Sequence, residues 1–240
     1  IELDLEGLAE LALDAPLVLL GERIQDAGIP HYSMDNVAAA SEMVHHLYQQ
    51  GARSFLILGS THTRATSSAG ALRQRGIEKA LTELGLDSWA WRSVEVSPWT
   101  AEGAESALGQ WLESNTLPDA IFTMNDLLGA GALRALSRAQ VRVPQDVLVS
   151  SWDDTVLSRF STPALTTISP DTHAIAHEAV AGLIALIEGN GRTGEARGAA
   201  ETDVDAAEAL NPDHSNQPST QVSDVTVSYT LTVRESTKRV

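Results

Sequence analysis

Cysteine is absent from the 240 residues, which excludes disulfides, thiolate metal sites and a cysteine nucleophile. Basic residues are scarce, since 16 Lys and Arg stand against 32 Asp and Glu, for a net charge of −16. A surface that neutralises DNA phosphates needs clustered Lys and Arg, so the sequence disfavours direct nucleic-acid binding by these residues. No apolar run approaches the roughly 18 residues of a membrane span, and no secretion leader is visible. We therefore expect a cytoplasmic protein without membrane contact.

Apolar strands alternate with amphipathic helices through most of the chain, and 43% of the residues are hydrophobic. Short continuous apolar runs, such as Phe55-Leu56-Ile57-Leu58 and Ala120-Ile121-Phe122, are typical of strands covered on both faces. Helical spacing of apolar residues follows each of them. This alternation predicts an α/β protein with parallel sheets.

Residues 190–221 differ from the rest in composition, being rich in Gly, Ala, Asp, Glu, Asn, Ser and Pro with almost no large apolar side chain. Such a segment buries too little apolar surface to offset the entropy of ordering it, so we predict a disordered acidic tether. Strong alternation over residues 222–233 predicts a last strand after the tether.

Motifs of catalysis are missing. The chain contains neither a Gly-x-Ser-x-Gly elbow nor a P-loop, and Gly129-Ala130-Gly131 is a near-miss to a dinucleotide fingerprint that lies within a predicted helix. We interpret these two glycines as close-packing positions. Asp153-Asp154 lacks a further ligand at metal spacing. The sequence therefore predicts no metal, no cofactor and no enzyme activity, although an α/β enzyme is a rival that turnover of a sugar would revive.

Polar and aromatic side chains follow several predicted strands. In an open parallel sheet, ligands bind beyond the carboxyl ends of the strands. The residues placed there are Glu22, Trp99, Asn125, Asp126, Trp152, Asp153 and Asp154. Amide, carboxylate and flat aromatic groups suit a sugar, whose hydroxyls need donors and acceptors and whose C–H face packs on indole.

Short segments in a fixed order carry a resemblance to a known family. They are Met34-Asp35-Asn36 with Gly51; Asp119-Ala120-Ile121-Phe122 with Asn125-Asp126; Trp152-Asp153-Asp154 with Pro163-Ala164-Leu165-Thr166-Thr167-Ile168; and the close Arg234-Glu235-Ser236-Thr237. Each segment alone is weak, but their order and spacing cover nearly the whole chain outside the tether. On these residues the chain resembles the LacI/GalR family of transcription regulators, the lactose, galactose and purine repressors.

The resemblance implies a periplasmic-binding-protein-like α/β fold, with two doubly wound parallel-sheet subdomains joined by three crossovers. The N-terminal subdomain would comprise residues 1–33 and 169–189, and would be partial. The C-terminal subdomain would comprise residues 34–168 and 222–240. The rest of the first subdomain and a helix-turn-helix DNA-binding head are expected upstream of Ile1.

The resemblance also places the effector site. Arg73 matches the family's effector-gripping arginine, whose guanidinium offers a rigid fork of donors, although Arg75 lies two residues away. Asp153 matches the first Asp of the family's double-Asp motif and would accept hydrogen bonds from effector hydroxyls; its alternative is a turn or cap aspartate. Asp154 is assigned to structure.

Four further residues are candidates for effector contact. Asn125 would also serve as a helix N-cap, and Trp99 would either stack on the ligand or act as a hydrophobic staple. Glu22 and Trp152 are the weaker candidates. We expect the effector to lie in the cleft between the subdomains.

The function implied is that of an effector-binding and dimerisation region. A small molecule, expected to be a sugar, would bias a two-state equilibrium by its differential affinity, and so control operator binding by the head. A homodimer is expected, with operator DNA contacted through the head alone. The alternative is a sugar-binding protein of an ABC transporter, which has the same fold without a head.

Overall fold

The structure is a computed structural model that describes residues 15–21, 29–60, 68–86, 89–198 and 225–239. Its contacts divide the chain into two compact units, Ile1–Ser33 with Thr172–Thr226 and Met34–Asp171 with Val227–Val240. The chain therefore passes from one unit to the other three times, as the predicted fold class requires.

Helices and strands alternate along the described residues. The strands are β1 (Leu19–Leu20), β2 (His31–Met34), β3 (Phe55–Ser60), β4 (Trp91–Glu95), β5 (Ala120–Thr123), β6 (Leu148–Trp152), β7 (Thr166–Pro170), β8 (Val225–Val227) and β9 (Tyr229–Thr232). The helices are α1 (Asn36–Gln49), α2 (Ala69–Glu83), α3 (Ala101–Ser114), α4 (Asp126–Arg138), α5 (Val156–Phe160) and α6 (Thr172–Gly198), and a 3₁₀ turn covers Glu235–Thr237.

The second unit is built on a six-stranded sheet in the order β4-β3-β5-β6-β7-β9. All its pairings are parallel except that of β7 with β9, which is antiparallel. Strands β3, β5 and β6 are buried along their whole length. A parallel sheet buried in this way confirms the α/β class that the alternating pattern predicts.

Helices cover both faces of this sheet. Neighbouring residues of a strand point to opposite faces, and on β6 Trp152 lies under Arg73 of α2 while Ser151 donates a hydrogen bond to Asp126 of α4. Helix α1 packs against α2, and α3 packs against α4. The sheet is thus the middle of three layers.

Most of these helices begin where a short polar side chain caps the first turn. The side chains of Asp35, Ser68, Thr100, Asn125 and Thr155 each accept a hydrogen bond from a backbone N–H two or three residues later. Each bond satisfies a donor that the first turn of a helix leaves open.

The glycines of α4 confirm the close-packing interpretation. A Cβ at Gly131 would lie 2.1 Å from the Ala101 carbonyl oxygen of α3, and one at Gly129 would lie 3.0 Å from the Ser151 hydroxyl of β6. The first distance is too short for a side chain, and the second is a tight contact that would require Ser151 to move slightly. The two residues let α4 approach its neighbours and do not contribute to a dinucleotide fingerprint.

The first unit contains a three-stranded sheet in the order β1-β2-β8, with β1 and β2 parallel. Helix α6 packs on it closely enough that a Cβ at Gly182 would lie 1.8 Å from the Tyr32 hydroxyl.

Two segments differ from the sequence-based expectation. Helix α6 continues to Gly198, whereas the sequence predicts a tether from residue 190; extending an existing helix avoids the cost of nucleating a new one. Residues 199–224, which include most of the predicted tether, lie outside the described residues. The predicted last strand is interrupted at Ser228, so β8 joins one sheet and β9 the other.

Candidate functional site

The polar candidates meet at the carboxyl edge of the six-stranded sheet. Strands β5 and β6 are parallel neighbours, with Phe122 paired to Ser150, and they end at Thr123 and Trp152. Asn125 and Asp153 follow directly after these ends. Helix α2 starts after β3, on the other side of β5, and extends Arg73 over the same edge.

Arg73 is the centre of the arrangement, with 7% of its surface exposed. Its Nε donates to Asn36 Oδ1 at 2.9 Å, and one terminal nitrogen donates to the carbonyl oxygen of Met124. The second terminal nitrogen lies 3.9 Å from Asp153 Oδ1. A buried guanidinium needs such partners, because an unpaired buried charge is costly.

Trp152 supports Arg73 from below. The guanidinium carbon lies 4.3 Å from the centre of the indole ring, which is within cation–π range. The ring is completely buried and packs on Phe122 with centroids 6.2 Å apart. Its Nε1 finds no acceptor in the part of the chain that the structure describes. Trp152 therefore supports the carboxyl edge of the sheet indirectly, by packing under the Arg73 guanidinium.

Asp153 is the acidic member of the edge. Its backbone N–H donates to Ile168 O at 2.9 Å, which fixes the residue beside β7. Its φ is 101°, a value that L-residues seldom adopt. The side chain is 41% exposed while Arg73 beside it is buried, so the pair presents one accessible carboxylate next to a fixed cation.

Asn125 is confirmed as the cap of α4, since its Oδ1 accepts from Leu128 N at 2.9 Å. This bond orients the amide at the end of β5 and directs one of its two groups into the helix. The second group, the Nδ2 amide, is a donor that remains compatible with ligand contact.

Two aspartates of the same region are structural. Asp126 is 1% exposed and accepts hydrogen bonds from the hydroxyls of Ser151, Thr155 and Thr167, and from the Thr155 backbone N–H. Asp154 pairs with Arg234 at 2.6 Å. The sequence placed Asp126 after a strand but contained no sign of this network, because its partners lie 25 to 41 residues away.

Trp99 and Arg75 are the other described candidates, and neither is grouped with Arg73, Asn125 and Asp153. Trp99 follows β4, the edge strand, which is three strands away from β6, and among the described residues no ring contact joins it to Arg73, Asn125 or Asp153. Arg75 is exposed on α2, whereas Arg73 faces the sheet. Glu22 lies outside the described residues.

A metal site does not emerge from the geometry. Within the described ranges, no three His, Asp or Glu side chains are grouped so that they could hold an ion. The edge of the sheet instead combines a guanidinium, a carboxylate and an amide, which together donate to and accept from neutral polar groups.

Comparison with known proteins identifies the family. Residues 44–204 match the periplasmic binding protein-like domain. A solved LacI-family regulator from Sanguibacter keddieii DSM 10542 is 33% identical, with a TM-score of 0.70 and coverage of 92% of this chain and 73% of that one. The chain belongs to the LacI family. The family resemblance and the periplasmic-binding-protein-like fold predicted from the sequence are thereby confirmed.

Curated relatives of this LacI-family chain are transcription regulators. The HTH-type transcriptional repressor CytR of Escherichia coli (strain K12) is 28% identical over 181 residues, covering 72% of the chain and 50% of that protein. PurR of Haemophilus influenzae (strain PittEE) is 29% identical over 204 residues, covering 73% and 57%. The chain thus spans about half the length of the curated relatives it matches.

A further solved relative contains a ligand. The LacI-family regulator from Arthrobacter sp. FB24, solved in complex with lactose, is 26% identical, with a TM-score of 0.71 and coverage of 93% of this chain and 71% of that one.

Proposed function

We propose that this chain is the effector-binding region of a LacI-family transcription regulator, and that its effector is a sugar. The observation that carries the proposal is the pair formed by buried Arg73 and exposed Asp153 at the carboxyl edge of the sheet. A fixed donor beside an accessible acceptor matches vicinal hydroxyls, each of which both donates and accepts. The relative solved with lactose supports the same ligand class.

The roles of the candidates follow from their placement. Asp153 accepts from effector hydroxyls, Arg73 donates from the nitrogen nearest Asp153, and Asn125 donates from Nδ2. Trp152, being buried, holds Arg73 in place and does not touch the ligand. Trp99 and Glu22 remain candidates for ligand contact on other parts of the chain.

We further propose that DNA binding belongs to a helix-turn-helix head outside this sequence. The curated relatives are named HTH-type regulators and are about twice as long as the part matched here. With a net charge of −16, the chain itself repels DNA phosphates. A regulator of this kind acts in the cytoplasm, where its operator lies.

The alternative, a sugar-binding protein of an ABC transporter, loses support because the named relatives are regulators. Among the described helices, none is long and apolar enough to cross a membrane.

Homodimerisation is part of the proposal, and a surface on α4 and α5 fits it. Four apolar side chains stand out of this surface, and Phe160 is 81% exposed; the others are Leu127, Val156 and Leu157. A hollow of about 380 Å³ lies beside them, lined also by Leu133 and Arg134. A two-fold axis would place the projecting ring of each copy in the hollow of the other, which is the self-complementary contact that a symmetric dimer needs. We call the surface formed by Leu127, Leu133, Val156, Leu157 and Phe160 the α4–α5 patch.

A thermal-shift screen of the intact protein tests the ligand class. Lactose is the first probe, followed by other mono- and disaccharides and by nucleosides and amino acids as other classes. A ligand that binds the native state raises the free energy of unfolding, by about 2.7 kcal/mol at a ligand concentration one hundred times Kd. The melting temperature rises as a result. We expect a sugar to raise it in the wild type, and to raise it less in Asp153→Asn at the same sugar concentration. A rise with other classes alone would contradict the assignment to a sugar.

A further inference from the structure

The loop that carries Asp153 has an unusual backbone. Asp153 and Asp154 are consecutive non-glycine residues with φ values of 101° and 51°. Residues with a Cβ seldom adopt a positive φ, and such a backbone conformation persists only where the surrounding structure holds it in place. Something in the fold must therefore fix this loop.

One side of the loop is held through the backbone and through Asp126. Asp153 N–H donates to Ile168 O, and Asp126 accepts from the backbone and the hydroxyl of Thr155. These bonds fix residues 153 and 155. They leave the side chain of Asp154, between them, to be held by other groups.

Arg234 holds Asp154. Its terminal nitrogen lies 2.6 Å from Asp154 Oδ1, and the two side chains are 18% and 16% exposed. The other terminal nitrogen donates to Leu165 O at 2.9 Å, and the backbone N–H donates to Thr166 Oγ1 at 2.8 Å. Arg234, in the segment that follows β9, therefore ties the loop after β6 to Leu165 and to Thr166, the first residue of β7.

We propose that Arg234 is a positioning residue of the effector site. Its ion pair with Asp154 keeps the loop in the left-handed conformation that turns the Asp153 carboxylate toward Arg73. Arg234 does not touch the guanidinium of Arg73, and so it acts through the Asp154–Asp153 backbone. The inference rests on the proposed function for its meaning in ligand binding, while the geometry it describes is independent of any ligand.

The test compares Arg234→Gln with Arg142→Gln in the intact protein. Arg142 pairs with Asp146 at the same N–O distance of 2.6 Å, on an exposed part of the unit away from the site. Two readouts are used: hydrogen exchange of the Asp153 amide, which is bonded to Ile168, and the NMR resonance of the Arg73 Nε–H. A merely structural role for Arg234 would not move the second readout.

We expect Arg234→Gln to speed exchange at Asp153 by roughly tenfold or more, as expected from losing a charged hydrogen bond, and to shift the Arg73 resonance. Arg142→Gln should change neither, and Arg234→Lys should restore part of the shift. Unchanged signals at Asp153 and Arg73 would overturn the proposal. So would an acceleration that is equally large on β3, because it would show general loss of stability.

Asp154→Asn is the second variant, since Asn tolerates a positive φ and removes the ion pair without removing Arg234. It should shift the same two signals if Arg234→Gln does not fold, and unchanged signals in it count against the proposal in the same way. Because neither readout uses a ligand, the two proposals fail separately. A local effect without sugar binding would refute the proposed function alone.

Discussion

At the carboxyl edge of the sheet, Arg73 is a buried, fixed cation and Asp153 is an accessible carboxylate beside it. Arg73 is held by Asn36, Met124 and the Trp152 ring, so that its guanidinium is fixed before any ligand arrives. A ligand that meets a preorganised donor loses less conformational entropy on binding. In the proposed function, Asp153 then provides the acceptor for effector hydroxyl groups.

Replacing Asp153 tests this division. Asp153→Asn removes the charge and keeps the shape, so sugar affinity should fall by about tenfold or more, the equivalent of about 1.5–3 kcal/mol for a charged hydrogen bond. Calorimetric titration with the best sugar of the screen measures the change. Asp146→Asn, at an exposed ion pair remote from the site, is the control and should bind as the wild type does. Equal affinity in both variants would place the site elsewhere.

Residue roles could be predicted from the sequence where the signal is local. The cap at Asn125 follows from its place before a helix, and the position of Asp153 at the carboxyl edge follows from its place after a strand. The Asp126 network and the Arg234 pair could not be predicted in this way. Arg234 meets Asp154 across 80 residues, and no periodicity in a single sequence records a contact of that kind.

Among the elements, α3 and α4 depend on a close approach. A Cβ at Gly131 would lie 2.1 Å from the Ala101 carbonyl oxygen, whereas one at Gly109 of α3 would meet nothing within 4 Å. Gly131→Ala should therefore lower the free energy of unfolding by about 1–3 kcal/mol through overpacking. Gly109→Ala should raise it by about 0.5–1 kcal/mol, because alanine favours a helix. Urea unfolding of both variants measures the difference, and equal stabilities would contradict the packing described here.

Helix α1 is joined to the carboxyl-terminal turn by His46, which hydrogen-bonds to Thr237 Oγ1 at 2.8 Å. Burial lowers the pKa of His46 below its usual 6.5, although Glu42 opposes the change. The native state therefore favours the neutral ring. The resulting stabilisation is complete above pH 6.5 and is lost as the pH falls through the lowered pKa.

The melting temperature of the wild type should accordingly decrease as the pH is lowered from 6.5 to 5. His46→Gln removes the titrating group, and its melting temperature should depend less on pH over this interval. Gln49→Ala, at an exposed residue of the same helix that does not titrate, serves as the control and should retain the wild-type slope. If the melting temperature of His46→Gln depends on pH as strongly as that of the wild type, protonation of His46 does not affect stability over this interval.

The order of elements could be predicted well, and the places where prediction failed have physical causes. Strand β5 and helix α4 lie where apolar spacing and the Asn cap predict them. The interruption at Ser228 could not be predicted, because apolar alternation continues through it. Strands β8 and β9 join different sheets, but their apolar residues keep one common two-residue period. The period in the sequence therefore does not show where one strand ends and the next begins.

For the whole molecule, the α4–α5 patch is an exposed apolar surface that a monomer leaves unexplained. Large exposed apolar side chains in one place are costly in water and mark contact surfaces. Phe160→Glu should therefore shift the protein from dimer to monomer in sedimentation velocity experiments. Trp89→Ser removes an aromatic side chain that is 70% exposed outside the patch, and it should leave the mass unchanged. A Phe160→Glu protein with the mass of a dimer would contradict the interface.

The fold of the whole molecule follows from the alternation of strands and helices, and the LacI family from the order of short segments along the chain. The division into two units follows neither periodicity nor composition. It depends on three passages of the chain, after Ser33, Asp171 and Thr226, of which the first falls within β2 and the third within β8. The family resemblance predicted them where local patterns could not.

Operator binding by the intact regulator tests the central claim most directly. Fluorescence anisotropy of labelled operator DNA gives its affinity with and without the sugar that raises the melting temperature. We predict that this sugar changes the operator affinity of the wild type by fivefold or more, the lower end of about 1–3 kcal/mol of coupling, and that Asp153→Asn needs about tenfold or more sugar for the same change. An operator affinity that the bound sugar does not alter in the wild type would contradict it.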